Sequence, residues 1–478
     1  MNDKLIHRWI TSIIATIGLF CLSLWIMYDP TARFIASGPG TDNRPLSSLP
    51  IDPKDAVQIG QYFEKYEGVA ADLPGSWIQF RGKNRDNIST ESVPLADQWD
   101  EDGPDILWSV DLGEGHAGPA VHNGRIYLLD YDEEKKADAL RCFSLADGKE
   151  IWRRWYSVHI KRNHGISRTV PAVTDSFAVT IGPRCHVLCV SADSGNFLWG
   201  LDLEKDFGTE TPLWYTGQCP LIDDSLAVVA PAGNVLMIGV HLRTGEVLWQ
   251  TPNPHGWKMS HSSIMTMTLH GKRMYVYCAI GGIVGVIADG ADRGKLAWET
   301  DLWDYSVVAP SPMILENGRI FITAGYSAGS MMLQVVEEEG GFSVKELQRL
   351  TPKQGMASEQ QTPILYDGYL FGVLPKDAGA ARERFVCYSP DDCSQLIWSS
   401  GKTDRFGLGP YLVADNKFFV LGDNGLLTMM KCSTTEYIRL GQSQVLQGAD
   451  AWGPLAIVGG RMLLRDSKRM ICIDIAAH

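Results

Sequence analysis

The sequence predicts an all-β fold, a β-propeller of eight four-stranded antiparallel blades preceded by one N-terminal transmembrane helix. Two observations predict the propeller. A tryptophan recurs about every 44 to 50 residues from residue 108 onward, and each interval holds about four short apolar strands separated by Gly or Asn turns. One small sheet cannot bury both of its faces alone, so neighbouring sheets must stack. A third observation, an uncharged run at residues 9–28, predicts the helix.

The recurring tryptophans occupy one place in a repeated turn-and-strand pattern. They are Trp108, Trp152, Trp199, Trp249, Trp298 and Trp398, and the last gap spans two periods. Four residues before the second to fifth of them stand Gly148, Gly195, Gly245 and Gly294. Glycine tolerates the positive φ of a tight hairpin turn, and an even offset places the tryptophan on a fixed face of the following strand. We interpret all ten residues as structural.

The number of blades follows from the innermost strands, of which eight can be counted. They begin near Gly118, Val170, Cys219, Ser263, Ser311, Thr362, Gly409 and Gly453. The last unit supplies three strands and stops at His478, whereas residues 105–112 around Trp108 form an outer strand with no blade before it. We therefore expect residues 105–478 to form the propeller, closed by strand 105–112 pairing with the C-terminal blade. Blades five and seven lack the tryptophan, which leaves seven blades as the alternative.

The N-terminal region predicts an anchor and a tether. Residues 9–28 are long enough to span a bilayer as one helix, and Lys4 and Arg8 before them place residues 1–8 in the cytoplasm. The propeller would then be extracytoplasmic (periplasmic) and held to the inner membrane by a single-pass signal anchor. A cleaved signal peptide and a secreted protein are the alternative. Residues 29–75 are rich in proline and read as a tether, with a possible short helix over Ala56–Gly68.

Charge and cysteine usage exclude some function classes. The formal net charge is -13, and no cluster of Lys and Arg follows one face of any segment, so a nucleic-acid partner is not expected. Four of the ten cysteines recur at one register of the third strand: Cys142, Cys189, Cys387 and Cys472. That position indicates packing between blades. Cys387 and Cys393 are the first pair to test for a disulfide.

The turn pattern, approximately A-x-D-x-x-T-G-x-x-x-W, is carried best by residues 140–152, 188–199 and 242–249. It resembles the repeat of pyrroloquinoline quinone (PQQ)-type propellers. A lead-in segment, residues 76–104, contains Trp77, Phe80, Arg81, Gly82 and Arg85, which match a W-x-x-F-R-G-x-x-R pattern that precedes such propellers in bacterial proteins. The chain is thus similar, over residues 105–478, to the BamB-like and quinoprotein alcohol dehydrogenase-like members of the PQQ-like repeat family.

The resemblance implies two different functions. Quinoprotein dehydrogenases use a vicinal cysteine pair over PQQ, an acidic base and a Ca²⁺ site, but this chain has no adjacent cysteines and no spacing that marks a cation site. We therefore predict no catalytic residue, no metal and no cofactor, and favour a scaffold that binds a protein, peptide or glycan partner, in cell-envelope assembly. A PQQ- and Ca²⁺-dependent oxidoreductase with a divergent site is the alternative, and a structural ring within a larger complex is the third class.

Repeat register also selects candidate binding residues. Matching positions of a propeller surround one axis, so His116, Arg168, His261 and Gln360, each just before an inner strand, are expected to form a polar ring at the channel mouth. Such a ring could hold an anion or a carboxylate. The loops that join an outer strand to the next inner strand supply partner-binding candidates: Trp155, His164, Trp214, Tyr215, Trp257, Trp303, Tyr305, Arg405 and Trp452.

Overall fold

The computed structural model describes residues 3–27 and 57–478, in two units divided after Ala56. The first contains a helix, Asp3–Met27. Of the helices in the two described ranges, none combines the length and apolar character that a membrane crossing requires. The predicted transmembrane anchor at residues 9–28 is therefore not supported, and its last residue falls outside these ranges. Residues 29–56 of the predicted tether also fall outside them.

The second unit is a propeller of eight antiparallel sheets, which confirms the predicted fold class and blade number. Each sheet is a blade, and its first strand in sequence is called the inner strand, except in blade 8, where the inner strand is Ala456–Val458. Blade 1 contains Ala120–His122, Arg125–Asp132, Ala137–Ser144 and Glu150–Ser157. Blade 2 contains Ala172–Val173, Phe177–Ile181, His186–Ser191 and Phe197–Asp202. Blade 3 contains Leu221–Asp223, Leu226–Val229, Val235–His241 and Val247–Pro252.

The remaining blades follow the same order. Blade 4 contains Met265–Leu269, Lys272–Ala279, Gly282–Ile287 and Leu296–Thr300. Blade 5 contains Met313–Ile314, Arg319–Ala324, Gly329–Glu338 and Gly341–Leu350. Blade 6 contains Ile364–Tyr366, Tyr369–Val373, Phe385–Tyr388 and Leu396–Ser399. Blade 7 contains Tyr411–Ala414, Lys417–Leu421, Leu426–Lys431 and Arg439–Gln444. Blade 8 contains Ala456–Val458, Arg461–Arg465 and Arg469–Asp474, with Ile106–Asp111 as its outer strand.

The two ends of the propeller meet in blade 8. Ile106–Asp111 pairs antiparallel with Arg469–Asp474, so one sheet contains strands from both ends of residues 105–478. A short helix, Leu203–Phe207, follows blade 2, and 3₁₀ turns occupy Glu316–Gly318 and Gly379–Ala381.

Blade 1 carries a fifth strand, Tyr62–Lys65, on its outer edge. The short helix expected over Ala56–Gly68 is therefore not observed, because Tyr62–Lys65 in the described part of that range is a strand. Tyr62–Lys65 pairs with Glu150–Ser157, and the ring of Tyr62 stacks on Trp155 at 5.6 Å. The outer strand of a blade offers unpaired backbone N–H and C=O groups, and satisfying them favours an extended segment over a helix of marginal length.

Four of the repeat tryptophans pack against a turn glycine of the next blade. A Cβ on Gly195 would lie 2.6 Å from the Trp152 ring, and Gly195 has φ +69°, so only glycine fits this turn. Trp108, Trp199 and Trp249 meet Gly148, Gly245 and Gly294 in the same way. Trp108 belongs to blade 8 and Gly148 to blade 1, so this contact also joins the last blade to the first. The hydrophobic core therefore lies between blades, as in the cluster that combines Trp152 with Val190 and Ala192.

The lead-in segment crosses one end of the central channel. Trp77 pairs with Val121 of blade 1, and Ile88 pairs with Val413 of blade 7. The carbonyl of Ile78 accepts a hydrogen bond of 2.8 Å from the Val173 amide in blade 2. Blades 2 and 7 lie on different sides of an eight-blade ring, so a segment bonded to both closes the channel where the inner strands end.

All ten cysteines are free thiols, and nine of them are buried. Cys387 and Cys393 are not bridged. Cys142, Cys189, Cys387 and Cys472 lie in the third strands of their sheets and are fully buried. They act as small apolar residues in the core.

Candidate functional site

The register-matched residues meet at the end of the channel where the inner strands begin. Arg168, His261 and Gln360 line one cavity of about 210 Å³, which we call the mouth cavity. His116 lies directly behind it. Its Nε2 is 3.1 Å from the carbonyl oxygen of His164, and its ring centroid is 4.9 Å from that of Trp452; both of these partners line the cavity. The structure therefore brings the four predicted ring residues together.

Arg168 supplies a fixed positive charge to the mouth cavity. Its Nε donates to the carbonyl of Trp214 at 2.6 Å, and its Nη2 donates to the carbonyl of His164 at 2.6 Å. No carboxylate of the described residues forms an ion pair with it, and its Nη1 has no hydrogen-bond partner among them. Burial lowers the pKa of Arg168 to about 10, so the guanidinium stays charged at neutral pH.

Aromatic side chains form one wall of the mouth cavity. The rings of Trp214 and Tyr326 stack at 5.9 Å, and the Trp214 ring lies 6.2 Å from that of His261. Trp214 and Tyr326 have φ of +63° and +56°, and His164, also on the wall, has φ +50°. Bulky residues rarely adopt this left-handed conformation, and such strain is found at functional sites more often than elsewhere. The backbone is held in an unfavourable shape that presents these rings to the channel mouth.

Both histidines of the ring are neutral at physiological pH. Burial, with a smaller effect of the nearby Arg168 charge, lowers the pKa of His261 to about 4 and that of His116 to about 3. The Nε2 of His261 and the amide oxygen of Gln360 are buried and have no hydrogen-bond partner among the described residues.

Two further charged residues line the mouth cavity. Lys376 adds a second cation, and Glu359 is the one carboxylate among the residues that line it. Burial raises the pKa of Glu359, while the Lys376 amide, 3.4 Å away, and the Lys376 charge oppose that shift. The cavity therefore has more positive than negative charge, in a chain whose net charge is -13.

Three residues of the mouth cavity were not predicted from the sequence: Tyr326, Glu359 and Lys376. Tyr326 and Lys376 lie in the turns between the second and third strands of blades 5 and 6. In a four-stranded antiparallel blade these turns open on the same face as the loops that join an outer strand to the next inner strand. The sequence-based candidates were taken from those loops alone. Glu359 directly precedes Gln360 and could have been found from its position alone.

The partner-binding candidates divide into two groups. His164, Trp214 and Trp452 line the mouth cavity, and Tyr215 is adjacent, with its hydroxyl donating to the Lys161 carbonyl. The others lie elsewhere. Trp155 is in the outer strand of blade 1 beneath Tyr62, and Trp303 is fully buried against Tyr305 at 4.6 Å, so neither belongs to an open binding loop. Trp155 thus lies half-buried in a strand and Trp303 lies in the core, whereas the sequence predicted both in loops.

Trp257 and Arg405 brace loops. Trp257 packs over the backbone of Gly281 and Gly282, where an added Cβ would lie 2.4 Å from the ring. Arg405 donates to the carbonyls of Arg382 and Ala380.

PQQ and Ca²⁺, the cofactors that the resemblance to quinoprotein dehydrogenases implies, do not match the residues that line the mouth cavity. Among residues 3–27 and 57–478, no three His, Cys, Asp or Glu side chains are grouped to hold a metal ion. Glu359 alone cannot replace the six to eight oxygen ligands that Ca²⁺ takes. The cavity is also smaller than the roughly 300–1,000 Å³ typical of cofactor sites. The residues present do not fit this cofactor.

Comparisons with known proteins agree with the fold. The family model described as "Outer membrane protein assembly factor BamB" matches residues 136–396. BamB from Moraxella catarrhalis is similar at 11% identity and a TM-score of 0.50, covering 78% of this chain and 99% of that one. Quinohemoprotein alcohol dehydrogenase from Comamonas testosteroni is similar at 11% identity and a TM-score of 0.58, covering 84% and 81%.

A europium-containing methanol dehydrogenase is similar at 13% identity and a TM-score of 0.56, covering 84% of this chain and 90% of that one. No curated protein matches the sequence. The structural likenesses show the fold alone, because a propeller hosts both binding and catalysis. The family model spans more than half of the chain, and with the repeat pattern it shows that the chain belongs to the BamB-like family of PQQ-like repeat propellers.

Proposed function

We propose that this protein is a non-catalytic binding scaffold of the cell envelope whose mouth cavity takes an acidic side chain or chain terminus of a partner protein. The observation that carries the proposal is the free Nη1 of Arg168 beside a cavity that no carboxylate of the described residues neutralises by an ion pair. Arginine presents a planar fork of N–H donors that matches a carboxylate.

The size and shape of the mouth cavity support a single anchoring group. A cavity of about 210 Å³ accommodates a side chain or a short chain end. The stacked rings of Trp214 and Tyr326 offer an apolar surface beside the cations, and aromatic and arginine residues are enriched at the centres of protein interfaces. A neutral glycan would use the aromatic wall but would leave the Arg168 charge without an ion-pair partner.

The titration state of His261 argues against a role for this residue as a general base. A general base works best with a pKa near the operating pH. Burial holds the pKa of His261 at about 4, which makes it a weak base.

The family description supports a partner in the cell envelope, since it names an outer membrane protein assembly factor. We propose an extracytoplasmic location on the same ground.

The test is a fluorescence-polarisation titration of the full chain with labelled oligo-aspartate and oligo-asparagine peptides of equal length. Wild type should bind the aspartate peptide at least about tenfold more tightly, which corresponds to about 1.4 kcal/mol. Arg168→Gln should lose that preference, because the free guanidinium N–H is gone.

Arg405→Gln is the matched control, since Arg405 also donates to backbone carbonyls but lies outside the mouth cavity. It should behave as wild type. Equal affinity for both peptides, or an equal loss in the two variants, would overturn the proposal. Circular dichroism melting of each variant verifies that folding is retained.

A further inference from the structure

The mouth cavity carries opposite charges on two of its sides. Arg168 stands just before the inner strand of blade 2, Ala172–Val173, and Glu359 stands just before that of blade 6, Ile364–Tyr366. Both residues line the cavity. Blades 2 and 6 are four blades apart in a ring of eight, so the guanidinium and the carboxylate approach the cavity from opposite sides of the channel axis.

The carboxylate of Glu359 has no cation bonded to it within the described residues. Its Oε2 accepts a hydrogen bond of 3.4 Å from the backbone amide of Lys376, and its Oε1 has no hydrogen-bond partner in that part of the chain. The Lys376 side chain is exposed and forms no ion pair with it. Glu359 is half-buried, so an oxygen without a partner lies beside the cavity.

The surroundings of Glu359 make its negative charge costly. Burial raises its pKa, the amide and the charge of Lys376 oppose that shift, and the carboxylates of Asp377 and Glu383 raise the pKa further. A ligand that fills the cavity removes more water from this carboxylate. Desolvation of a carboxylate is unfavourable unless a cation or hydrogen-bond donors replace the water.

Tyr326 is affected by both charges. Partial burial raises the pKa of its phenol, the Glu359 charge raises that pKa further, and the Arg168 charge lowers it. The Tyr326 ring also stacks on Trp214, whose backbone carbonyl accepts a hydrogen bond from Arg168. A group that binds against this aromatic wall is therefore subject to a positive and a negative charge at the same time.

We propose that Glu359 determines the specificity of the mouth cavity by selecting a partner segment that carries a lysine or arginine next to its acidic group. The inference rests on the proposed function, in which the acidic group binds Arg168. The basic group then pairs with Glu359 on the opposite side of the cavity. A segment that lacks a basic group leaves Glu359 desolvated and unpaired, which disfavours its binding.

The test compares two labelled peptides of equal length by fluorescence polarisation with the full chain. One peptide alternates aspartate with lysine, and the other alternates aspartate with asparagine. At about 0.15 M salt, which screens distant charges, wild type should bind the aspartate–lysine peptide about fivefold more tightly. Glu359→Gln should lose this preference and still bind the aspartate–asparagine peptide, which also verifies its folding. Glu339→Gln, the matched control, removes an exposed carboxylate outside the cavity and should keep the preference.

Arg168→Gln separates this inference from the proposed function, because it should weaken the binding of both peptides. If it does so while wild type binds the two peptides equally, or while Glu359→Gln keeps the preference, the role of Glu359 is wrong and that of Arg168 stands. Loss of both peptides in Glu359→Gln would indicate a structural role and would also overturn the inference. If Arg168→Gln changes neither affinity, the proposed function fails and this inference fails with it.

Discussion

The two ends of the channel use the same kind of side chain in opposite ways. At the open end Arg168 keeps a free Nη1 beside the mouth cavity. At the closed end Arg81 has every guanidinium nitrogen engaged, with Nη1 2.6 Å from the Thr362 carbonyl, Nη2 3.0 Å from the Pro363 carbonyl and Nε 2.9 Å from the Arg85 carbonyl. Neither arginine has an ion-pair partner in the described ranges.

The difference separates a structural role from a binding role. Backbone carbonyls can satisfy a buried guanidinium without another charge, and Arg81 then joins the lead-in segment to blade 6. Where one N–H remains free beside open space, as at Arg168, the same charge is available to a ligand. Burial alone therefore does not distinguish the two roles, whereas the count of satisfied N–H groups does.

The largest effect is expected at the closed end. Replacing Arg81 by Met (Arg81→Met) leaves three buried carbonyls without their donors, and should lower the free energy of unfolding by about 3–5 kcal/mol. Urea unfolding measures it. Arg405→Met, which removes similar carbonyl contacts at a more exposed site, should cost below about 1 kcal/mol. A similar loss of unfolding free energy in the two variants would contradict the structural role assigned to Arg81.

A smaller effect, in pH dependence, is expected at the open end. The pKa of His261 falls from 6.5 to about 4 on folding, so the unfolded chain takes up the proton first. The stabilisation is complete above pH 6.5 and is lost as the pH falls toward 4. The loss relative to neutral pH should amount to about 2.5 kcal/mol at pH 4.5. Urea unfolding across this range should show a shallower pH slope for His261→Gln.

His116 contributes to the same slope, since its pKa is also lowered by burial, to about 3. His261→Gln should therefore reduce the dependence without abolishing it. His159→Gln, at an exposed position, is the control and should retain the wild-type curve. If His261→Gln kept the full slope, the pH dependence would not come from this histidine.

Part of this architecture could be predicted from the sequence because it repeats. The Trp152–Gly195 contact recurs in every period where both residues are present, so spacing alone indicates the blades. Equivalent positions of a ring face one axis, which is why Arg168, His261 and Gln360 could be grouped without coordinates. Blades 5 and 7 lack the repeat tryptophan, so only their inner strands indicated their presence in the sequence.

The other features of the fold and the site depend on contacts that do not recur with the sequence repeat. Arg81 and Arg85 belong to a segment outside the repeat, and each donates to a backbone carbonyl more than 130 residues away along the chain. Tyr62 joins a strand because blade 1 offers it a free edge, which local spacing does not reveal. Whether a loop aromatic is covered, as Trp303 is, depends on the neighbouring blade.

The most direct test of the account is hydrogen–deuterium exchange of the full chain with and without oligo-aspartate. Because the acidic group is proposed to bind at Arg168, amides around Trp214 and Tyr326 should exchange more slowly with the peptide, and those of residues 77–89 should be unchanged. Protection confined to the closed end, or no protection around Trp214, would contradict the assignment of the open end as the binding site.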